Sequence, residues 1–269
     1  MLKPLEDGID ADFISTPIKL ADNLDIIPGR LSLQFFESTV SQRWPEAFAG
    51  NPQAVRIVSS IRHISEKYTE KFGYDYVLLD TSPSLGALNK ISVTLSDYFI
   101  ISCSPDIYSI YGIKNIGKSL DTWNRNFNIL FSLLPGKQRE LFPKQLVKLL
   151  GFTLYKAQRR SDAKNDLHIP QAHYNHAVSI PSEIENNIKK EIFASDDINK
   201  NIGGTSIIYT NNTYPSLAQK YHVPMWLVPD IHLDHEDVGT VTANRNSFHA
   251  TQDNYHSFVQ DLLSRLDNV

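Results

Sequence analysis

The residues best suited to chemistry in this chain lie between positions 73 and 102. Asp80 follows the apolar run Tyr76-Val77-Leu78-Leu79 and precedes Thr81-Ser82-Pro83-Ser84-Leu85-Gly86. A short apolar run ending at a turn reads as a buried strand, so residues 76–79 are expected to deliver Asp80 to a strand's carboxyl end. A carboxylate there can hold Mg²⁺, directly or through water, because this ion favours few carboxylates plus substrate phosphates over an all-protein cage. The stiff, hydroxyl-rich turn then leads into a helix over 86–95, whose first backbone N–H groups can face an anion. The same spacing also suits an aspartate that merely caps a turn.

Positioning that loop requires strands alternating with helices. Apolar runs predict strands at 24–27, 76–79, 98–102, 149–155, 206–209 and 225–228, several without alternation, as in parallel sheets covered on both faces. Asn51-Pro52 reads as an N-cap followed by proline at the first helical position, with Val55, Val58, Ile61, Ile64 and Tyr68 along one face. Ile113, Ile116, Leu120 and Trp123 mark another helix. Ser182 and Glu185 fit a capping box ahead of Ile188 and Ile192. Tyr255, Phe258, Val259, Leu262, Leu263 and Leu266 form the stripe of a terminal amphipathic helix. The expected fold is α/β, a doubly wound and mainly parallel sheet flanked by helices, in one domain over 1–269. Such folds bind ligands beyond the carboxyl ends of their strands.

Taken together, these motifs resemble the ParA/MinD/Soj family of P-loop ATPases. Asp80-Thr81-Ser82-Pro83-Ser84-Leu85-Gly86 is similar to the family's D-x-P-P-S-L-G loop, with Ser82 replacing the first proline. Asn23-Leu24-Asp25-Ile26-Ile27-Pro28-Gly29 resembles its N-L-D-L-I-P-S strand, and Ser96-Asp97-Tyr98-Phe99-Ile100-Ile101-Ser102 its A-D-x-V-L-I-P strand. Tyr108-Ser109-Ile110-Tyr111-Gly112-Ile113 looks like the start of the helix that follows, and Leu150-Gly151-Phe152-Thr153-Leu154-Tyr155 like a later strand. The resemblance implies ATP and Mg²⁺ as cofactors, with Asp80 as the Mg²⁺-side acid acting through water. Pro83, Ser84, Leu85 and Gly86 would form a switch loop sensing the terminal phosphate, and Asn211 would approach the adenine. It further implies a homodimer, non-specific DNA, a partition partner protein, and a role in plasmid or chromosome partitioning in the cytoplasm.

The family's phosphate-binding loop, K-G-G-V-G-K followed by Ser or Thr, does not occur in the 269 residues. The only Gly-Gly pair, Gly203-Gly204, has no lysine after it, and the family's D-x-D-P-Q strand end is missing as well. Only 23 residues precede Leu24, while a βαβ unit needs about 30. The fold is therefore expected to lack its first β-α unit, through N-terminal truncation or true degeneration. Hydrolysis, which depends on positioning and charge neutralisation, is expected to be lost, and a sheet edge or core face to be exposed. The competing reading is a non-catalytic α/β interaction module that binds no nucleotide.

The remaining features carry less. Lys156, Arg159 and Arg160 follow a predicted strand end and could face a nucleotide or DNA phosphates, although surface charges are usually just solvated. His232, Asp234, His235, Glu236 and Asp237 resemble a metal cluster, but adjacent polar residues rarely converge on one ion. The lone Cys103 excludes an intramolecular disulfide, fits a reducing compartment, and reads as a small buried residue. A net charge of −4 leaves DNA binding to a local basic patch. No apolar run is long enough for a membrane span, and the terminal helix is mixed in charge, which argues against membrane targeting.

Overall fold

The computed structural model describes residues 14–29, 31–209 and 213–269. The chain divides into two compact units, one reaching to Tyr98 and including Lys118–Val147, the other formed by Phe99–Gly117 and Lys148–Val269. The architecture is α/β, with a small sheet flanked by helices.

In the first unit a hairpin joins β1 (Ile18–Ala21) and β2 (Leu24–Ile26) antiparallel, turning at Asn23, which takes φ 63°. Helix α1 (Leu33–Phe48) follows. Helix α2 (Pro52–Phe72) begins as its sequence dictates: the Asn51 side chain accepts the N–H groups of Gln53 and Ala54 at 2.9 and 3.3 Å, and Pro52 needs no partner there. Gly73 ends it in the left-handed region at φ 74°, its N–H bonded to the Thr69 carbonyl at 2.9 Å. The core of this unit gathers Phe36 and Val40 of α1, Val55 and Val58 of α2, Ile91 of α3 (Ala87–Thr94), and Leu130 of α4 (Ile107–Leu133). A helix as short as α3 is not stable by itself. Burial of Ile91 and Leu95 holds it, together with Arg62, which donates to the Leu95 carbonyl at 3.0 Å and pairs with Asp97 at 3.1 Å.

The second unit is built on a three-stranded sheet of order β3-β4-β5, with β3 Tyr98–Cys103, β4 Lys148–Ala157 and β5 Ile208–Tyr209. Strands β4 and β5 run parallel, with Tyr155 opposite Ile208 and Ala157 opposite Tyr209. Helices α5 (Gln171–Asn187), α6 (Tyr214–Tyr221), α7 (His235–Ala243) and α8 (Arg245–Asp267) complete it. A satellite core packs Tyr214 and Leu217 of α6 against Val228, Val241 and Phe248.

Three expectations fail, each for a physical reason. Residues 76–79 form no strand. A strand exists only through a neighbour's ladder, and among the described residues none pairs with this run. Residues 225–228 lie in a 3₁₀ helix, Met225–Asp230, with Pro229 inside it and Pro224 at its cap; proline has no N–H to give to a ladder. Ser182 is not an N-cap: α5 starts eleven residues earlier, at Gln171, and runs through Pro181, with Ile180 and Ile184 fully buried on its inner side. The Ser182 hydroxyl instead bonds the Ser179 carbonyl at 2.8 Å. The terminal helix forms as expected, but Val259 and Leu263 stay exposed while Arg265 is buried.

Candidate functional site

The loop 80–86 enters α3 through Gly86, the N-cap residue. Its shape is set by Asn89, a buried amide one turn into the helix. The Asn89 Nδ2 donates to the carbonyls of Ser82 and Ser84 at 2.5 and 2.6 Å, and also reaches their hydroxyls at 3.3 and 3.2 Å. The two hydroxyls lie 3.1 Å from each other. One side chain thus draws both serines back onto the helix start, which fixes the middle of the loop.

Gly86 also meets α1. The Glu37 carboxylate lies so close that a Cβ at position 86 would fall 1.8 Å from its Oε1. A negative group at a helix N-terminus is favoured by the helix dipole, so Glu37 holds the place an incoming anion would take. Around it a shallow cleft of about 530 Å³ is lined by Gln34, Glu37, Ser38, Ser41, Gln42 and the Gly86-Ala87 backbone. One turn further on, the Lys90 ammonium sits 3.6 Å above the Trp44 ring. Burial lowers its pKa to about 8, and the indole face offsets part of that cost.

Of the residues singled out from sequence, Asp80, Pro83 and Ser84 are exposed on this loop, and Gly86 is half-buried at the cleft. Asp80 is not delivered by a buried strand, because residues 76–79 have no ladder, and it does not line the cleft. Asn211 and Asn212 lie outside the described residues. Sequence reasoning missed Asn89 and Glu37. An asparagine within a helix carries no signal for a clamp, and Glu37 meets Gly86 only through the packing of α1 on α3. As a donor set, the Asp80 carboxylate and the neighbouring hydroxyls are all oxygen, which suits Mg²⁺. A triphosphate also needs cations, and Lys90, the nearest in sequence, is turned onto Trp44.

The other candidates resolve clearly. Asp234, Glu236 and Asp237 do converge, but Lys220 stands among them at 2.7, 3.0 and 2.7 Å. Hydrogen bonds that Lys220 donates to these acids, Asp234 first, push its pKa up, and Lys220 holds Asp237 down. Arg159 lies over the Tyr209 ring at 5.5 Å, and Arg160 pairs with Asp162 at 3.1 Å. Cys103 is buried, and burial pushes its thiol up to about 12, which removes it as a thiolate nucleophile.

Comparison with known proteins shows what the part of the chain that carries this loop is similar to. Residues 8–133 match a family described as "AAA domain". An uncharacterized protein of Methanocaldococcus jannaschii is 33% identical over 144 residues, 54% of this chain and 45% of that protein. A ParA family protein of Mycoplasma pneumoniae is 32% identical over 117 residues, 43% of this chain and 38% of its own length. A virulence-plasmid ParA family protein of Chlamydia psittaci is 30% identical over 110 residues, 40% of this chain and 37% of its own. Residues 8–133 are thus similar to the AAA domain family, and ParA family proteins are distant relatives over about 40% of the chain. The chain spans less than half the length of these curated relatives. The fold is shared with the crystal structure of a Corynebacterium diphtheriae protein, DIP2308, at a TM-score of 0.53 and 21% identity, covering 70% of this chain and 64% of that one.

Proposed function

We propose that the chain is the Mg²⁺-side portion of a ParA-type ATPase of plasmid or chromosome partitioning, without hydrolytic activity in the 269 residues alone. The observation that carries this reading is the loop 80–86 itself: a D-T-S-P-S-L-G run, held by Asn89 at the N-terminus of α3, inside the half of the chain that matches the AAA domain. In this reading Asp80 holds Mg²⁺ through water, and Pro83, Ser84 and Gly86 move with the nucleotide state. The bound ion would supply charge neutralisation of the phosphates; the chain's own residues orient it and set the loop. The family's phosphate-binding loop and its lysines do not occur in the 269 residues, as a fragment or a degenerate member would have it. The sheet is of the doubly wound P-loop type, and the intact protein dimerises on ATP and binds DNA non-specifically.

A second reading is favoured by a specific observation. With Asp80 exposed, residues 76–79 outside the sheet, and Glu37 placed at the helix N-terminus, the unit is suited to binding a protein without nucleotide. Calorimetric titration of Mg²⁺-ATP into the purified chain separates the ideas of a complete and an incomplete site. The expected affinity is weaker than about 1 mM. Micromolar binding by this chain alone would overturn the proposal that the 269 residues lack a working phosphate site.

A further inference from the structure

Lys90 is the only charged residue of α3, and its ammonium meets an aromatic ring instead of a carboxylate. Its Nζ lies 3.6 Å above the Trp44 ring of α1, in a half-buried position. The charged residues of α1 are engaged elsewhere, Glu37 at Gly86 and Arg43 with Glu46 at 2.8 Å. On α2, which also packs against α3, Arg62 pairs with Glu66 and Asp97 at 2.8 and 3.1 Å. Other lysines are held as ammonium ions: Lys19 by Asp22, Lys114 by Glu183, Lys200 by Asp197, and Lys220 by its three acids. An ion pair favours the charged form of a lysine, whereas burial without one favours the neutral amine.

Lys90 also stands at the end of the cleft between α1 and α3. Trp44 lies one turn beyond Ser41, and Lys90 one turn beyond Ala87; Ser41 and Ala87 both line the cleft. The other groups there are the amides of Gln34 and Gln42, the Ser38 hydroxyl and the Glu37 carboxylate. Amides and hydroxyls suit an uncharged ligand rich in hydrogen-bonding groups, and the carboxylate disfavours an anion.

We propose that Lys90 is an acyl-acceptor lysine, modified by an activated acyl group that reaches it through the cleft between α1 and α3. The neutral amine attacks the carbonyl carbon of a thioester. A C–N bond forms and the C–S bond breaks; the sulfur leaves with the electron pair, and the amine's proton passes to it through solvent. The product amide is uncharged, so the attraction between ammonium and indole face is lost. That loss falls in the helix whose Asn89 fixes the loop 80–86. An acyl phosphate offers the same chemistry with phosphate as leaving group, but its charge meets Glu37. Burial lowers the Lys90 pKa to about 8. About a tenth of the side chain is then neutral at pH 7, against under about one part in a thousand for an unperturbed lysine. The inference rests on the contact of α1 with α3 inside the first unit and stands apart from the nucleotide reading.

The test incubates the full chain at neutral pH with acetyl-coenzyme A or with acetyl phosphate, and reads the acetylation rate of each lysine by peptide mass spectrometry. Lys90 should react about tenfold faster than the median lysine, and this lead should vanish in concentrated guanidinium chloride. Its rate should rise with pH and level off above about 8, while ordinary lysines keep rising. A Lys90 lead with either donor supports the assignment, and the faster donor identifies the source. Acetylation should also quicken amide exchange over 87–94, a change that Lys90→Arg, which keeps the charge and removes the acceptor, should not show. A Lys90 rate at or below the median overturns the inference, as does a lead that survives denaturation. Exchange over 87–94 that acetylation leaves untouched, or quickens equally in Lys90→Arg, overturns it as well.

Discussion

At the scale of single residues, the candidate site depends on a few side chains whose roles differ in kind. Asp80 would supply charge, Gly86 leaves room for Glu37, and Asn89 supplies shape. The Asn89 amide is the most testable of these. Replacing it by alanine removes the two N–H groups that the Ser82 and Ser84 carbonyls now accept. The lost hydrogen bonds should cost about 1–2 kcal/mol, and amide exchange over 82–86 should quicken while the middle of α2 stays protected. A loop equally protected in Asn89→Ala would mean that other contacts fix it. The two residues were not equally legible beforehand. Asp80 announces itself through the apolar run and the turn around it. Asn89 does not, because its part is defined by backbone atoms of the loop that fold back onto it.

At the scale of elements, the caps written into the sequence behave as local chemistry requires. Asn51, Pro52 and Gly73 bound α2 without help from distant residues. The buried apolar run of β4 is equally plain, since seven of its ten residues are buried. The elements whose composition misleads are those whose state is set by a neighbour or by proline. Residues 76–79 have strand composition and no ladder, and Met225–Asp230 has strand composition broken by Pro229. The terminal helix hides its main anchor in a charged residue. Arg265 of α8 donates to the carbonyls of Leu150, Asp197 and Lys200 at 2.9, 3.0 and 3.1 Å, and pairs with Asp261 at 3.1 Å. Gly151, at φ 140°, leaves the space this guanidinium fills, for a Cβ there would lie 2.4 Å from Nη1. Arg265→Ala should therefore destabilise the second unit by about 3–5 kcal/mol, read by thermal or denaturant unfolding, because it leaves several buried groups unpaired. A loss below about 1 kcal/mol, the scale of an exposed ion pair, would contradict that assignment.

At the scale of the whole molecule, the half that matches the AAA domain carries the loop, and no helix among the described residues is long and apolar enough to cross a membrane. The relatives are more than twice as long as the segments they share with this chain. In the proposed function the loop 80–86 is the oxygen-rich, metal-side part of a nucleotide site. Manganese reports on the site directly, since it substitutes for Mg²⁺ and broadens nearby nuclear resonances. With millimolar Mn²⁺-ATP added to isotopically labelled chain, the amide signals of residues 80–86 should broaden before all others, and Asp80→Asn should abolish the effect. Broadening centred on Asp234, Glu236 and Asp237 instead, or broadening at 80–86 that persists without the Asp80 carboxylate, would contradict the assignment of this loop to the metal.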